Sequence, residues 1–491
     1  MSFKLKLNIP VIVRIEGYML LIEGLFMLSV IPVTYFHHGL NAFSIPFSAI
    51  LTLMAGFIAI FSTRKHKDQK PTDHEGVVVV SLSWLVMSLF GGLPFLLSNA
   101  VPNFTDAFFE ALSGFTTTGA TMLTNIDSVA KDILFWRSMT QWLGGLAIVV
   151  FTVAILPFLS MSGMQLFISE MNGITSDKLH PRIMHTAHRI WFIYLFFTLL
   201  ETLLLYLGDM DWYDALCHSM TTISSGGFST RDANMAAFSD YSQVVVTVFM
   251  AISGCNFSLL LLSVSWKSFS IFKDQEFKAF VTYIIGIGTI IALSLIFISK
   301  MSFGAAFRES FFSVVSCITT TGFFVSDYML WPNFLWVMLF MLMFIGACSG
   351  STSGGVKLQR HLIFVKNTYV ELKRLIHPNA LIPVKINNKS ISRSTIYKSM
   401  TFVFIYFLVF ILGVVIFRIL GVDFNTSLGV SVATLSNIGM GIGKVGPYGS
   451  YAFLPQIGKW VLIFFMLFGR VELFSLLTLF SKTFWKQITI Q

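Results

Sequence analysis

The chain has 491 residues, of which 55% are apolar, 15% aromatic and only 12% charged, with a mean hydropathy of +0.77, whereas an ordinary water-soluble domain carries about 25% charged residues. That balance excludes a soluble enzyme and a disordered scaffold. The net charge of +9 has first to be placed along the chain, because membrane topology gathers Lys and Arg on one face.

A membrane-spanning helix needs about 20 apolar residues. Runs of that kind are expected at 11–35, 43–62, 76–98, 133–158, 190–208, 241–264, 279–299, 333–356, 399–420 and 459–481. Arg14, Glu16 and Glu23 interrupt the first, which reads as a retained span and not a signal peptide. Ten spans return both ends to one side. Segments 1–10, 63–75, 159–189, 265–278, 357–398 and 482–491 hold 23 of the 33 basic residues, while the opposite joins hold Lys131, Arg231, Lys300, Arg308 and Lys444. The positive-inside rule therefore puts both termini in the cytoplasm, and the basic charge requires no nucleic acid.

The opposite joins carry twelve carboxylates, which suit either a cation-concentrating mouth or ordinary solvated loops. Cys217, Cys255, Cys317 and Cys348 lie in apolar stretches and read as small buried thiols, with no disulfide frame or zinc site.

Each of the last four acidic joins runs into about ten apolar residues, too short to cross a bilayer, and then into a Ser/Thr/Asn segment with glycine. This pattern reads as a re-entrant half-helix. The segments ALSGFTTTGAT (111–121), HSMTTISSGGF (218–228), VVSCITTTGFF (314–324) and SVATLSNIGMG (431–441) align without a gap on Gly119, Gly226, Gly322 and Gly439. The unit of span, half-helix, glycine strand and span thus recurs four times. The expected organisation is an all-α polytopic membrane protein: a two-span segment 1–75, then repeats at 76–189, 190–278, 279–398 and 399–491 around a central pore.

A dehydrated alkali cation needs several oxygens in place of its water, and rings of backbone carbonyls supply them without a trapping charge. Glycine permits the dihedrals that aim carbonyls at an axis and leaves a narrow passage open. The residues ahead of each glycine, Thr117-Thr118, Ser224-Ser225, Thr320-Thr321 and Asn437-Ile438, are mostly small polar groups able to brace such a strand.

From Pro332 to about Leu375 the chain could form one helix, yet its middle is GACSGSTSGG (346–355), a string with very low helix preference. The expected break is either a gate or a static kink. The gate residues would be Gly346, Gly350, Ser351, Thr352, Ser353, Gly354 and Gly355. Arg470 lies midway along the last span with Glu472 two residues on; a charge at that depth costs several kcal/mol unless it meets water or a partner. It faces either the pathway and the loop or an interhelical bridge, and Lys357 is a second cation at the loop.

GMGIGKVGPYG (439–449) is not a nucleotide loop, because Ile438 stands where its first glycine belongs and Val445 follows Lys444. His180, His185 and His188 read as solvated histidines, and no nucleophile–base set marks an enzyme.

On these residues the chain resembles the Trk/Ktr/HKT superfamily of potassium transporters, specifically the bacterial Trk-type membrane subunit. The four glycines match that family's filter glycines, the two spans before residue 75 resemble its extra N-terminal pair, and SNIGMG departs most from its Thr-Thr-Gly pattern. The resemblance implies potassium uptake, of symport class, across the bacterial inner membrane, with an intramembrane gating loop and Arg470 beneath the filter. It further implies a homodimer and a cytosolic ring of nucleotide-binding regulatory subunits, with no nucleotide site in this chain. Lys366, Lys373, Arg374, Lys385, Lys389 and Arg393 could meet such a ring or anionic lipid. The alternative is an ion-coupled secondary transporter with inverted repeats, against which the like orientation of successive units argues.

Overall fold

The structure, a computed structural model, describes residues 5–36, 43–66, 72–154, 179–264, 270–470, 479 and 488–490. At the N-terminal end, α1 (Ile9–Ser29) continues into α2 (Ile31–Phe36) and packs along α3 (Ser44–Ser62). Their backbones touch through glycines: a Cβ added to Gly56 would stand 2.8 Å from the Gly17 carbonyl oxygen. Small residues are what allow helices in lipid to approach so closely. Then come α4 (Asp73–Gly91), whose first turn Thr72 and Glu75 close with a capping box, and α5 (Leu93–Leu97).

The remaining helices divide into four sets, each containing one short, buried helix. The first is α6 (Phe104–Phe115) with α7 (Lys131–Ala154). In the second, α8 (Leu179–Tyr206) leads to α9 (Trp212–Ile223), α10 (Asp240–Ser253) and α11 (Phe257–Val264). The third contains α12 (Gln275–Phe297), α13 (Phe303–Ile318), α14 (Asn333–Leu342) and α15 (Leu358–Ile376). The last comprises α16 (Arg393–Ile419), α17 (Phe424–Leu435) and α18 (Gln456–Arg470).

Among the described residues, six helical stretches are long and apolar enough to cross a membrane: Ile9–Phe36, Ser44–Ser62, Glu75–Leu97, His188–Tyr206, Gln275–Phe297 and Arg393–Ile419. Their outer faces present Phe57 and Phe61, Phe192 and Phe196, or Ile411 and Val415 to the surroundings. In water such faces would be a liability; in lipid they are the solvated surface. The main core lies inward, around α6, α9, α13 and α17, where Leu112, Phe115, Ile223, Cys317, Ile318 and Leu435 are fully buried. All four cysteines are free and buried, as composition suggested.

Two expected spans are not continuous. The run 333–356 stops being α-helical after Leu342 and becomes helical again only at Leu358, as its glycine string requires. The run 241–264 also breaks, between Ser253 and Phe257, which its hydropathy did not reveal. There the Asn256 side chain accepts from Ser258 N at 2.9 Å and starts a new helix. The expected last span is described to Arg470 and again at residue 479; the rest of it, including Glu472, lies outside the described residues, as does the 159–178 part of one join.

Away from this core, α15 packs on α16 and on a hairpin of β2 (Lys385–Ile386) and β3 (Lys389–Ser390), with Ile363, Val370, Val384, Ile386, Ile391 and Ile396 forming a separate cluster. Strand β4 (Ile488–Ile490) pairs in parallel with β1 (Leu5–Leu7).

Candidate functional site

The four short helices end alike. Asn103, Asp211 and Asp423 cap α6, α9 and α17 by accepting from Thr105 N, Asp214 N and Thr426 N. At the other end each helix closes on a hydroxyl residue, Thr116, Ser224, Thr319 or Ser436, followed by one with positive φ: Thr117 (50°), Ser225 (55°), Thr320 (56°) and Asn437 (54°). Two residues further on stands a glycine with positive φ: Gly119 (80°), Gly227 (77°), Gly322 (82°) and Gly439 (76°). Between them, the N–H groups of Thr118, Gly226, Thr321 and Ile438 donate back to Ser113 O, Thr221 O, Ser316 O and Ala433 O at 2.8, 2.8, 3.0 and 2.8 Å.

This geometry corrects one residue of the sequence alignment. Gly227, not Gly226, is the equivalent of Gly119, Gly322 and Gly439; Gly226 matches Thr118, Thr321 and Ile438, and Ser224 is a helix cap matching Thr116 and outside the strand. The register is fixed by where the helix ends, and the doubled glycine of SSGGF conceals that point.

The turns form a closed ring. A methyl group at Gly119 would be driven into the Gly226 carbonyl oxygen, one at Gly227 into Thr321 O, one at Gly322 into Ile438 O and one at Gly439 into Thr118 O. Each strand thus lays the carbonyl preceding its glycine against the glycine of its neighbour, in the cyclic order of the chain. No side chain fits at these four points, and the positive φ disfavours one independently.

Polar side chains brace the ring from behind. Hydroxyl pairs Thr116–Thr118 (2.7 Å) and Thr319–Thr321 (2.8 Å) stiffen the first and third strands, Tyr451 donates to Gly439 O at 2.8 Å, and Tyr328 donates to Gly441 O. Asn437 Nδ2 reaches Thr118 Oγ1 at 2.9 Å, tying the last strand to the first. From α7, Gln141 holds the second strand, and Arg137 Nη1 donates to Ser229 O at 3.0 Å. Arg137 Nε also pairs with Glu110 at 2.7 Å, and Glu110 accepts from Met122 N at 2.7 Å. This buried pair has hydrogen bonds on both partners, the condition under which burying charge is tolerated. Sequence reasoning missed Glu110, Arg137 and Gln141; the signal was available, since polar groups inside an apolar run usually have assigned partners.

The 346–355 segment lies directly against these turns. Thr352 Oγ1 is 2.8 Å from Ser225 Oγ and 3.1 Å from Ile223 O, while Gly354 N donates to Thr320 Oγ1 at 2.7 Å. A Cβ on Gly354 would strike Ser436 O. Two cations hold successive carbonyls: Arg470 Nη1 donates to Thr352 O at 2.8 Å, and Lys357 Nζ donates to Ser353 O at 2.7 Å and Ser351 O at 3.3 Å. Of the two settings left open for Arg470, the described residues give it the loop. From the far side Glu276 accepts from Ser349 N (2.7 Å) and Gln359 N (3.0 Å). The unforeseen break after α10 also serves the loop, with Gly254 O accepting from Cys348 N at 3.0 Å and Phe257 N donating to Gly350 O at 3.2 Å. Among the described residues, Thr117 Oγ1, Asn437 Oδ1 and Arg470 Nε and Nη2 are buried without a hydrogen-bond partner.

Most acidic residues of the joins opposite the basic segments are occupied by structure. Asp106 pairs with Lys459 at 2.7 Å, Asp240 pairs with Arg308, and Asp214 binds Arg231 at 2.7 Å. Burial pushes Asp209 upward, but hydrogen bonds from Ser239 and Ser242 outweigh it and hold its carboxyl below the usual range. These carboxylates therefore act mainly as caps and ion-pair partners, a role that neither the cation-concentrating mouth nor the solvated loop described.

A family described as "TrkH: Cation transport protein" matches residues 43–487. The chain belongs to this TrkH family. It is 41% identical to the Trk system potassium uptake protein TrkH of Escherichia coli K12 over 443 residues, 89% of this chain and 91% of that protein. Against the protein of the same name from Salmonella typhimurium it is 40% identical over 484 residues, 97% and 99% of the two chains. The crystal structure of the potassium transporter TrkH from Vibrio parahaemolyticus superposes with a TM-score of 0.89 at 36% identity, covering 98% of this chain and all of that one. The TrkH fold thus accounts for nearly the whole chain.

Proposed function

We infer that this chain takes up potassium across a membrane, as its TrkH relatives do, and that it is a transporter with no enzymatic step. The route is a gated, channel-like pore in which the glycine turns form the filter. The observation that carries this reading is the cyclic contact of the four turns. In it Thr118 O, Gly226 O, Thr321 O and Ile438 O, together with the neighbouring strand carbonyls, replace potassium's hydration shell. The C-terminal ends of α6, α9, α13 and α17 converge on the same place, and their partial negative charge favours a cation there.

In this reading the 346–355 loop beneath the turns is the gate, and Arg470 and Lys357 are its latches. The chain is then four span, half-helix, span repeats preceded by two spans. Ten spans in all lie in the bacterial inner membrane, with both termini cytoplasmic. The basic surface of α15 and the β2–β3 hairpin faces the cytosol, where a nucleotide-binding regulatory ring would dock, and the transporter works as a homodimer.

The experiment is rubidium uptake by proteoliposomes holding the purified full chain, with sodium competition. Wild type takes up rubidium without any organic solute and Gly322→Ala loses preference over sodium; unchanged preference in that variant would remove the filter from these turns.

A further inference from the structure

We propose that Gln141 is a positioning residue that sets ion discrimination at the second strand, and that strand two carries a second glycine, Gly226, to admit the Gln141 amide. This rests on the filter reading above and deepens it.

Gln141 is fully buried on α7. Its Nε2 donates to Gly226 O at 2.7 Å while its Oε1 accepts from Phe228 N at 3.0 Å. The amide therefore grips the strand at two backbone points, as a paired strand would. A Cβ built on Gly226 would fall inside that amide, whose Cδ, Oε1 and Nε2 are its three nearest atoms. At the equivalent position strands one and three carry Thr118 and Thr321, each bonded to its own helix-capping hydroxyl. Strand two has no side chain there and takes its support from another helix.

The consequence reaches the ion. A carbonyl oxygen has two lone pairs, and one on Gly226 is committed to an N–H donor. Donation draws electron density from the oxygen, so one member of the ring presents a weaker field than Thr118 O or Thr321 O. A weaker average field favours the cation that is easier to dehydrate, potassium over sodium.

The test uses the full chain in proteoliposomes, with rubidium uptake and sodium competition as the readout and monodisperse elution as the check on folding. Gln141→Leu, which keeps the volume and removes both hydrogen bonds, should lower potassium-over-sodium preference about tenfold, the scale of one to two net hydrogen bonds. Gly226→Thr should abolish transport while Gln141 is present. The double variant Gln141→Ala/Gly226→Thr should regain transport, since it offers strand two a hydroxyl to pair with Ser224. Unchanged preference in Gln141→Leu, or a double variant no better than Gly226→Thr alone, overturns the proposal. If Gln141→Leu does not fold, the double variant decides by itself. Should Gly322→Ala shift preference while Gln141→Leu does not, this inference fails and the filter stands; if neither shifts it, the filter reading fails.

Discussion

The glycine turns and the 346–355 loop are both irregular backbone buried among helices, yet they are held in opposite ways. In each turn the N–H groups bond back to the helix from which the strand has just emerged, as Thr117 N does to Gly114 O and Thr321 N to Ser316 O. The turn is part of its helix's ending and cannot move without undoing it. The loop has some bonds of its own, such as Ser351 N to Cys348 O. Its main anchors are borrowed from elsewhere: Arg470, Glu276, Gly254 O, Ser225 and Thr320. Borrowed anchors can be released one element at a time while every helix stays intact. Of the two regions, the loop has the looser anchoring that the proposed gate requires.

That contrast can be broken most forcefully at the ring. Gly322→Ala faces both a disfavoured φ and the Ile438 carbonyl, a combination expected to cost more than about 4 kcal/mol; the measured result should be loss of selective rubidium uptake. Glu110→Gln leaves Arg137 buried without its counter-charge. Breaking such a pair typically costs about 3–5 kcal/mol, so thermal unfolding in detergent should move to markedly lower temperature, with transport lost alongside it.

At the loop the sign should reverse. Arg470→Ala removes one charge-assisted hydrogen bond, worth roughly 1.5–3 kcal/mol, and should raise rubidium leak about tenfold or more with folding retained. Lys357→Met should do the same more weakly, by a few-fold, because Lys357 is only partly buried and solvent screens its contacts. Because both latches act on adjoining carbonyls, their combined effect should be less than additive. A lower leak in either variant would make the loop a fixed plug and erase its difference from the turns.

Much of this was legible from residue order. Hydropathy located the long helices, and the recurrence of half-helix and glycine located the turns, because an apolar stretch of about ten residues has few alternatives at a membrane. The glycine string 346–355 announced its own break. What sequence could not supply was anything decided by packing between distant segments. Gly226 and Gly227 are indistinguishable until the end of α9 is known. The interruption at Gly254–Asn256 is not marked in its hydropathy, and its use, contact with the loop almost one hundred residues later, is visible only in the fold. Glu110, Arg137 and Gln141 looked like isolated polar residues because their partners lie far along the chain, Arg137 beside Glu110 and Gly226 beside Gln141.

The ring's closure within one polypeptide has a further consequence. In an assembly of four identical chains, any substitution in the lining appears four times, so evolution can only try symmetric changes. Here each quadrant has its own codons. Strand two could exchange a hydroxyl for a neighbour's amide, and strand four a threonine for Asn437, while the others stayed as they were. Selectivity in such a protein can be adjusted in quarter steps.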